Sequence, residues 1–155
     1  MMRRRALLVL LMLAAVVLGA AREFLFLNLN YQIDAVANHR AVSFAHSIFR
    51  GWTAGLGLDA LLRLKWLLAL LFIALTLALS IACARIVFGD HRYRTALVGG
   101  FALVGILALV MHLLANAVPP LYAVSVKLLH LIQYPVVLFV IWAAAMLPGQ
   151  ARIQP

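Results

Sequence analysis

A small set of side chains in this 155-residue sequence has the types and spacing to do chemistry. Arg22, Glu23, Asp34, His39, Arg40 and His46 lie in one polar stretch, whereas His112, Lys127, His130, Gln133 and Tyr134 flank two apolar runs further on. Lys127, His130 and Tyr134 are spaced i, i+3, i+7 and share a face if they sit on one helix, with Gln133 close to His130. Acid–base work would pair Glu23 or Asp34 with a histidine poised by partial desolvation. Haem or metal binding would recruit His112 and His130 as imidazole ligands from facing helices. His39 and His46 with Asp34 offer a second ligand set, but His-x6-His matches no zinc spacing. A polar ligand pocket asks only that these groups converge.

Against each stands a plainer reading, in which polar tips near helix ends snorkel into water and cost little. No HExxH, nucleophile elbow or phosphate-cradling glycine loop is present. The lone cysteine, Cys83, excludes an intrachain disulfide, a CxxC site and dithiol quinone chemistry, and inside an apolar run it reads as a small hydrophobe. The expectation is therefore no catalytic residue, no metal and no cofactor.

The elements that must position these residues are membrane helices. Mean hydropathy is +1.10 and 67% of residues are hydrophobic against 11% charged; soluble domains carry about 25% charged residues. A chain of this length cannot hide that much apolar surface in one core, so the bilayer is its expected solvent. The formal charge of +9 comes from Lys and Arg flanking apolar segments, as membrane topology requires. With no basic run interleaved with aromatics, nucleic acid is not an expected partner.

The sequence predicts one all-α membrane domain of four spans, at about 6–27, 66–84, 96–115 and 128–147. The stretch from Arg22 to Lys65, about 44 residues, supplies a partly helical extracytoplasmic loop (about 28–65) between the first two spans. The first span admits a second reading, a cleaved signal peptide ending near Ala21; the apolar run that follows Arg22 favours a retained helix. Over Leu27–Asp34 apolar and polar residues alternate, a strand signal. No second alternating run offers a ladder partner, so a continuing helix is expected, with Glu23, Asn30, Asp34 and Asn38 as its polar stripe and Asn28 and Gln32 pointing elsewhere.

Gly51, Gly55 and Gly57 predict a joint, Asp59 an N-cap, Pro119-Pro120 a turn and Pro135 a kink. Small residues Gly99, Gly100 and Gly105 predict close approach of a neighbouring helix. Asp90-His91-Arg92-Tyr93-Arg94 is a basic connector, and Pro148-Gly149 stops the last helix.

Basic residues near the termini and in that connector place both termini in the cytoplasm and the long loop outside, in what reads as a bacterial inner membrane. His112, Lys127, His130, Arg22 and Glu23 then reach one layer, the outer leaflet, and Glu23 is the counter-charge for Lys127 or for Arg22 beside it. The expected function is a non-catalytic accessory or assembly subunit that contacts a membrane or extracytoplasmic protein, or a second copy of itself, through its outer loop. The alternative is a transporter or a lipid- or quinone-handling enzyme with an outward-facing polar pocket. On this topology a cysteine placed at Ala54 reacts with a membrane-impermeant thiol reagent in intact cells or spheroplasts, and one at Tyr93 does not. The reverse labelling pattern inverts the orientation.

Overall fold

A computed structural model describes residues 2–40, 42–89 and 92–146. The expectations for Asp90 and His91, for the Pro148-Gly149 stop and for the tail beyond lie outside the described residues. Among the described residues every regular element is helical. In order they are α1 (Met2–Ala37), α2 (Ser47–Trp52), α3 (Leu58–Phe88), α4 (Arg92–Leu114), α5 (Pro120–Gln133) and α6 (Val136–Met146).

Three of these, over Arg4–Ala37, Leu58–Phe88 and Tyr93–Leu114, are long and apolar enough to cross a membrane. The pair α5 and α6 makes a fourth if its two parts, bent by 53°, count as one span. Only 11% of the most apolar window of α1, and of α4, is buried within the protein. Side chains such as Val17 and Leu103, about two-thirds exposed at 67% and 68%, would not tolerate water along whole helices, and lipid is the solvent that suits them.

The expected continuation of the first helix through Leu27–Asp34 is found, because a helix satisfies its own backbone and a lone strand does not. It runs further than the sequence suggested. With α1 ending at Ala37 and α3 starting at Leu58, the connection shrinks from about 28–65 to 38–57, and it contains α2. Gly51 lies inside α2 instead of breaking the chain; Gly55, at φ +78, makes the turn that follows. Asp59 sits in the first turn of α3, where its charge complements the helix dipole, and does not take the N-cap position.

The chain divides into two compact units, one formed by Val17–Phe72 and the other by the rest. In the first unit Leu29, Ala45, Phe49 and Leu61 form a buried cluster flanked by Leu25, Ile33, Val36, Leu64 and Leu68. Leu25, Leu29, Ile33 and Val36 recur every three to four residues, so one stripe of α1 supplies that side of the core. Phe26, Ala69 and Phe72 form a second cluster, the two rings meeting edge to face at 6.1 Å.

In the other unit Ala15, Cys83 and Leu138 are buried with Leu8, Leu11, Met12, Leu79, Val87 and Ile141 around them. Cys83 thus fills the small-hydrophobe role. Helices α4 and α5 pack side by side across the short connection at 115–119. Close approach at the α4 glycines is limited to Gly105, 4.0 Å from Ile132 Cδ1 if it carried a Cβ; Gly99 and Gly100 face open space among the described residues.

Helix ends are closed with care. At the end of α3, Gly89 takes φ +70 and its N–H donates to the Arg85 carbonyl at 3.0 Å, the αL cap that glycine makes without strain. Arg4 donates Nε to Ile86 O at 2.7 Å and Nη2 to Val87 O, bringing a positive charge to the negative end of the helix.

The kink expected at Pro135 is a full break between α5 and α6. Proline has no N–H to continue the ladder, and Tyr134 before it is extended at φ −90, ψ 146. Thr76, fully buried on α3, reaches across and donates its hydroxyl to the Gln133 carbonyl at 3.2 Å. Ser80, one turn on, returns its hydroxyl to Thr76 O at 2.8 Å within the same helix. Thr76→Val keeps the shape and removes the donor at a carbonyl cut off from water, and we expect it to cost about 1–3 kcal/mol. Ser80→Ala gives up only a bond within its own helix and costs less. Thermal unfolding of the two variants in detergent, side by side, checks the order.

Candidate functional site

The polar residues singled out from the sequence fall in different units. Arg22, Glu23, Asp34, His39, Arg40 and His46 belong to Val17–Phe72, and His112, Lys127, His130, Gln133 and Tyr134 to the other. Each set has its own geometry.

In the second set Lys127 is exposed, while His112 packs near Tyr122, ring centroids 5.9 Å apart. His112, Asn116, Pro119 and Tyr122 line an open cleft of about 400 Å³ at the α4–α5 turn. His130 and Tyr134 meet edge to face at 6.2 Å. Tyr134 does not continue the helical face of Lys127 and His130, because the break places it outside α5. His130 stands in the last turn of α5, ten residues after its start at Pro120, and not near a helix beginning at Leu128. The sequence leaves residues 116–127 between two spans, with a turn at Pro119-Pro120. Pro119 and Pro120 instead start the helix early, since proline is tolerated in a first turn whose N–H groups have no helical partner.

In the first set Arg22 is buried, with its guanidinium 3.2 Å from Glu23 Oε2 and 4.8 Å from the centre of the Phe26 ring. The expected Arg22–Glu23 compensation is thus present. The remaining residues are organised by the C-terminal end of α1. There the N–H of Arg40 donates to Ala35 O at 2.8 Å and that of His39 to Val36 O at 3.3 Å, the paired bonds of a Schellman cap. Asn38 Nδ2 adds bonds to Asp34 O at 2.9 Å and to Asp34 Oδ1 at 2.8 Å. The cap puts His39 at φ 50, in the left-handed region where glycine is usual. Arg40 turns back to Asp34, Nη1 to Oδ2 2.9 Å, with both side chains about half exposed. An open cleft of about 500 Å³ results, lined by Gln32, Ala35, Val36, His39, Arg40, Ser43 and Arg50.

The far wall of this cleft is held by Asn28, a residue that the sequence places off the polar stripe. Asn28 is buried, donates Nδ2 to Phe24 O at 2.7 Å, and accepts at Oδ1 from the His46 N–H at 2.6 Å. His46 in turn caps α2, its Nδ1 accepting from the Ile48 N–H at 3.3 Å, and its ring packs edge-on to Phe24 at 5.9 Å. His46 is therefore a cap and a packing group, and it does not line the cleft. Phe49 and Ala45 seat α2 in the core, and Thr53 closes its far end with backbone and hydroxyl bonds to Phe49 O. Arg50, Gln32 and Ser43 were not foreseen as site residues. The one legible signal was Asn28 itself, a polar residue interrupting the apolar stripe of Leu25, Leu29 and Ile33.

Among the described residues no three His, Cys, Asp or Glu side chains lie close enough to hold a metal ion. What the first cleft offers is two guanidinium groups, an imidazole, an amide and a hydroxyl, with the Asp34 carboxylate paired to Arg40 beside it.

Two substitutions separate scaffold from site. Asn28→Ala leaves the His46 N–H without its acceptor and lowers thermal stability by about 1–3 kcal/mol. His39→Gly relieves a left-handed residue and holds or raises stability, by up to about 1 kcal/mol. Both are read from melting curves in detergent.

No protein family model, curated protein or solved structure matches this chain, so its function has to be read from its own residues.

Proposed function

We propose that this chain is a non-catalytic membrane protein, an accessory or assembly subunit that binds a protein partner through segment 38–57. In this reading it crosses a bacterial inner membrane four times as one domain, with both termini cytoplasmic and that segment outside. The observation that carries it is a rim of apolar side chains left open on a firmly seated segment. Phe44 and Trp52 are 74% and 67% exposed, and Val42 and Ile48 are more than half exposed. Ala45, Phe49 and Thr53, interleaved with them, are buried.

A mobile loop would bury such side chains against itself or shed them. A seated rim of Trp and Phe beside arginines has the composition of an interface hot spot.

In this reading acyl chains do not reach this rim. The thirty-six residues of α1 cover about 54 Å at 1.5 Å per residue. Even at a tilt of about 40°, a steep one for a membrane helix, that length rises about 41 Å against a hydrocarbon core of about 30 Å. With its span starting near Arg5, the C-terminal end of α1 and the segment after it stand beyond the core in this reading, and a protein partner is the cover we propose for their apolar side chains.

The alternative of a transporter or a lipid- or quinone-handling enzyme draws its support from the two open clefts. A photo-crosslinking amino acid at Phe44 or Trp52, activated in cells, is expected to yield a discrete protein adduct, and one at Leu10 of α1 is not. An adduct of twice the chain mass identifies the partner as a second copy. Adducts to lipid alone at all three positions defeat the proposal.

A further inference from the structure

We propose that the cleft at the end of α1 binds a phosphate ester carrying free hydroxyls, with Arg40, Arg50 and His39 on the phosphate and Gln32 on a hydroxyl. This goes beyond partner docking and does not rest on it. Four observations converge on it.

First, the lining groups match the ligand. Guanidinium forks are suited to phosphate oxygens, and Ser43 adds a hydroxyl donor on the same wall. Arg40 commits part of its fork to Asp34, whereas Arg50 makes no ion pair among the described residues.

Second, the charge balance favours an anion in spite of the helix end. The dipole of α1 places about half a negative charge there. Asp34 adds one negative charge and the two arginines bring two positive, which leaves about half a positive charge before His39 is counted. The arginines are also not needed to cap α1, because the Schellman bonds and Asn38 already serve the carbonyls of Asp34, Ala35 and Val36.

Third, Gln32 Oε1 is shielded from water and has no hydrogen-bond partner. Gln32 lines the same cleft, so a turn of its amide brings this unmet acceptor to a ligand that itself carries an O–H.

Fourth, His39 occupies a left-handed position that glycine fills at lower cost, so the cap alone does not call for an imidazole. Its place beside Arg40 gives that imidazole something to bind.

The same chemistry has two sources, a phosphatidylglycerol headgroup or a soluble ester. If α1 starts its span near Arg5 and tilts by about 40°, it leaves the hydrocarbon near Gln32 and sets the cleft among headgroups; an upright helix lifts the cleft into water.

The full chain purified in detergent tests this with three probes. Phosphatidylglycerol is compared with phosphatidylcholine by native mass spectrometry, while sn-glycerol 3-phosphate and inorganic phosphate are titrated by calorimetry. Retention of phosphatidylglycerol over phosphatidylcholine supports a lipid source, and binding of the glycerol ester supports a soluble one. In either case Arg50→Gln is expected to weaken binding about ten- to a hundredfold, the loss of one charge-assisted contact. His39→Gly is expected to weaken binding while its melting temperature holds or rises, which a purely structural histidine would not do. Failure of both phosphatidylglycerol and the glycerol ester to bind overturns the proposal, as does undiminished binding by Arg50→Gln. Inorganic phosphate binding as tightly as the glycerol ester overturns the assignment of Gln32.

Discussion

The structure depends on one constraint, that a peptide group released at a helix end must be met from within the chain wherever water is scarce. Each place where the fold turns shows the same solution by a different route. Gly89 and the distant Arg4 share the last carbonyls of α3, the Schellman bonds and Asn38 close α1, and the Thr76 hydroxyl reaches the carbonyl at the α5–α6 break. In the Val17–Phe72 unit the Asn28 amide does this in reverse, accepting the N–H of His46 so that a short helix can start. A six-residue helix has no stability of its own. Held at its first turn by that amide, at its last by Thr53 and in the middle by Phe49, it becomes a fixed platform.

That platform explains why polar and apolar side chains sort as they do around segment 38–57. Ser43 and Arg50 face the cleft while Val42, Phe44, Ile48 and Trp52 stand outside it. A segment so seated cannot repack to hide its apolar members, and it keeps Arg50 on the cleft side of α2. The exposed rim and the basic cleft are thus two results of one set of anchors.

The helical character of the chain, its long apolar runs and the break at Pro135 were legible in the sequence, because each follows from local rules. Apolar length sets a span, proline ends a ladder, and an alternating run without a partner stays helical. The extents were not legible. Composition marked Arg22–Lys65 as different from the spans, yet helices α1 and α3 run into it from both sides, since polarity does not end a helix where no breaker intervenes. The site was legible in part. His39 and Arg40 share one cleft, with Asp34 paired to Arg40 beside it, because a helix end gathers neighbours in sequence. Gln32, Ser43 and Arg50 join them only because Asn28 clasps His46 eighteen residues away, a contact that no periodicity announces. For the same reason His46, promising as a histidine, turns out to be a cap.

The break between α5 and α6 bears on how the protein is made. Segments leaving the ribosome partition into the bilayer largely on their own hydrophobicity, and a lysine near the middle of one costs about 2.5–3.5 kcal/mol. Helix α5 covers only about 21 Å in its fourteen residues and carries Ser125, Lys127, His130 and Gln133, so it is a poor candidate for entry by itself. Its neighbour α4 is long, uncharged beyond its first turn and already apolar enough to insert. If α5 and α6 count as one span, its entry is expected to be late and templated by α4. In the folded protein α5 packs side by side with α4, and α6 supplies the more apolar part of the bent pair.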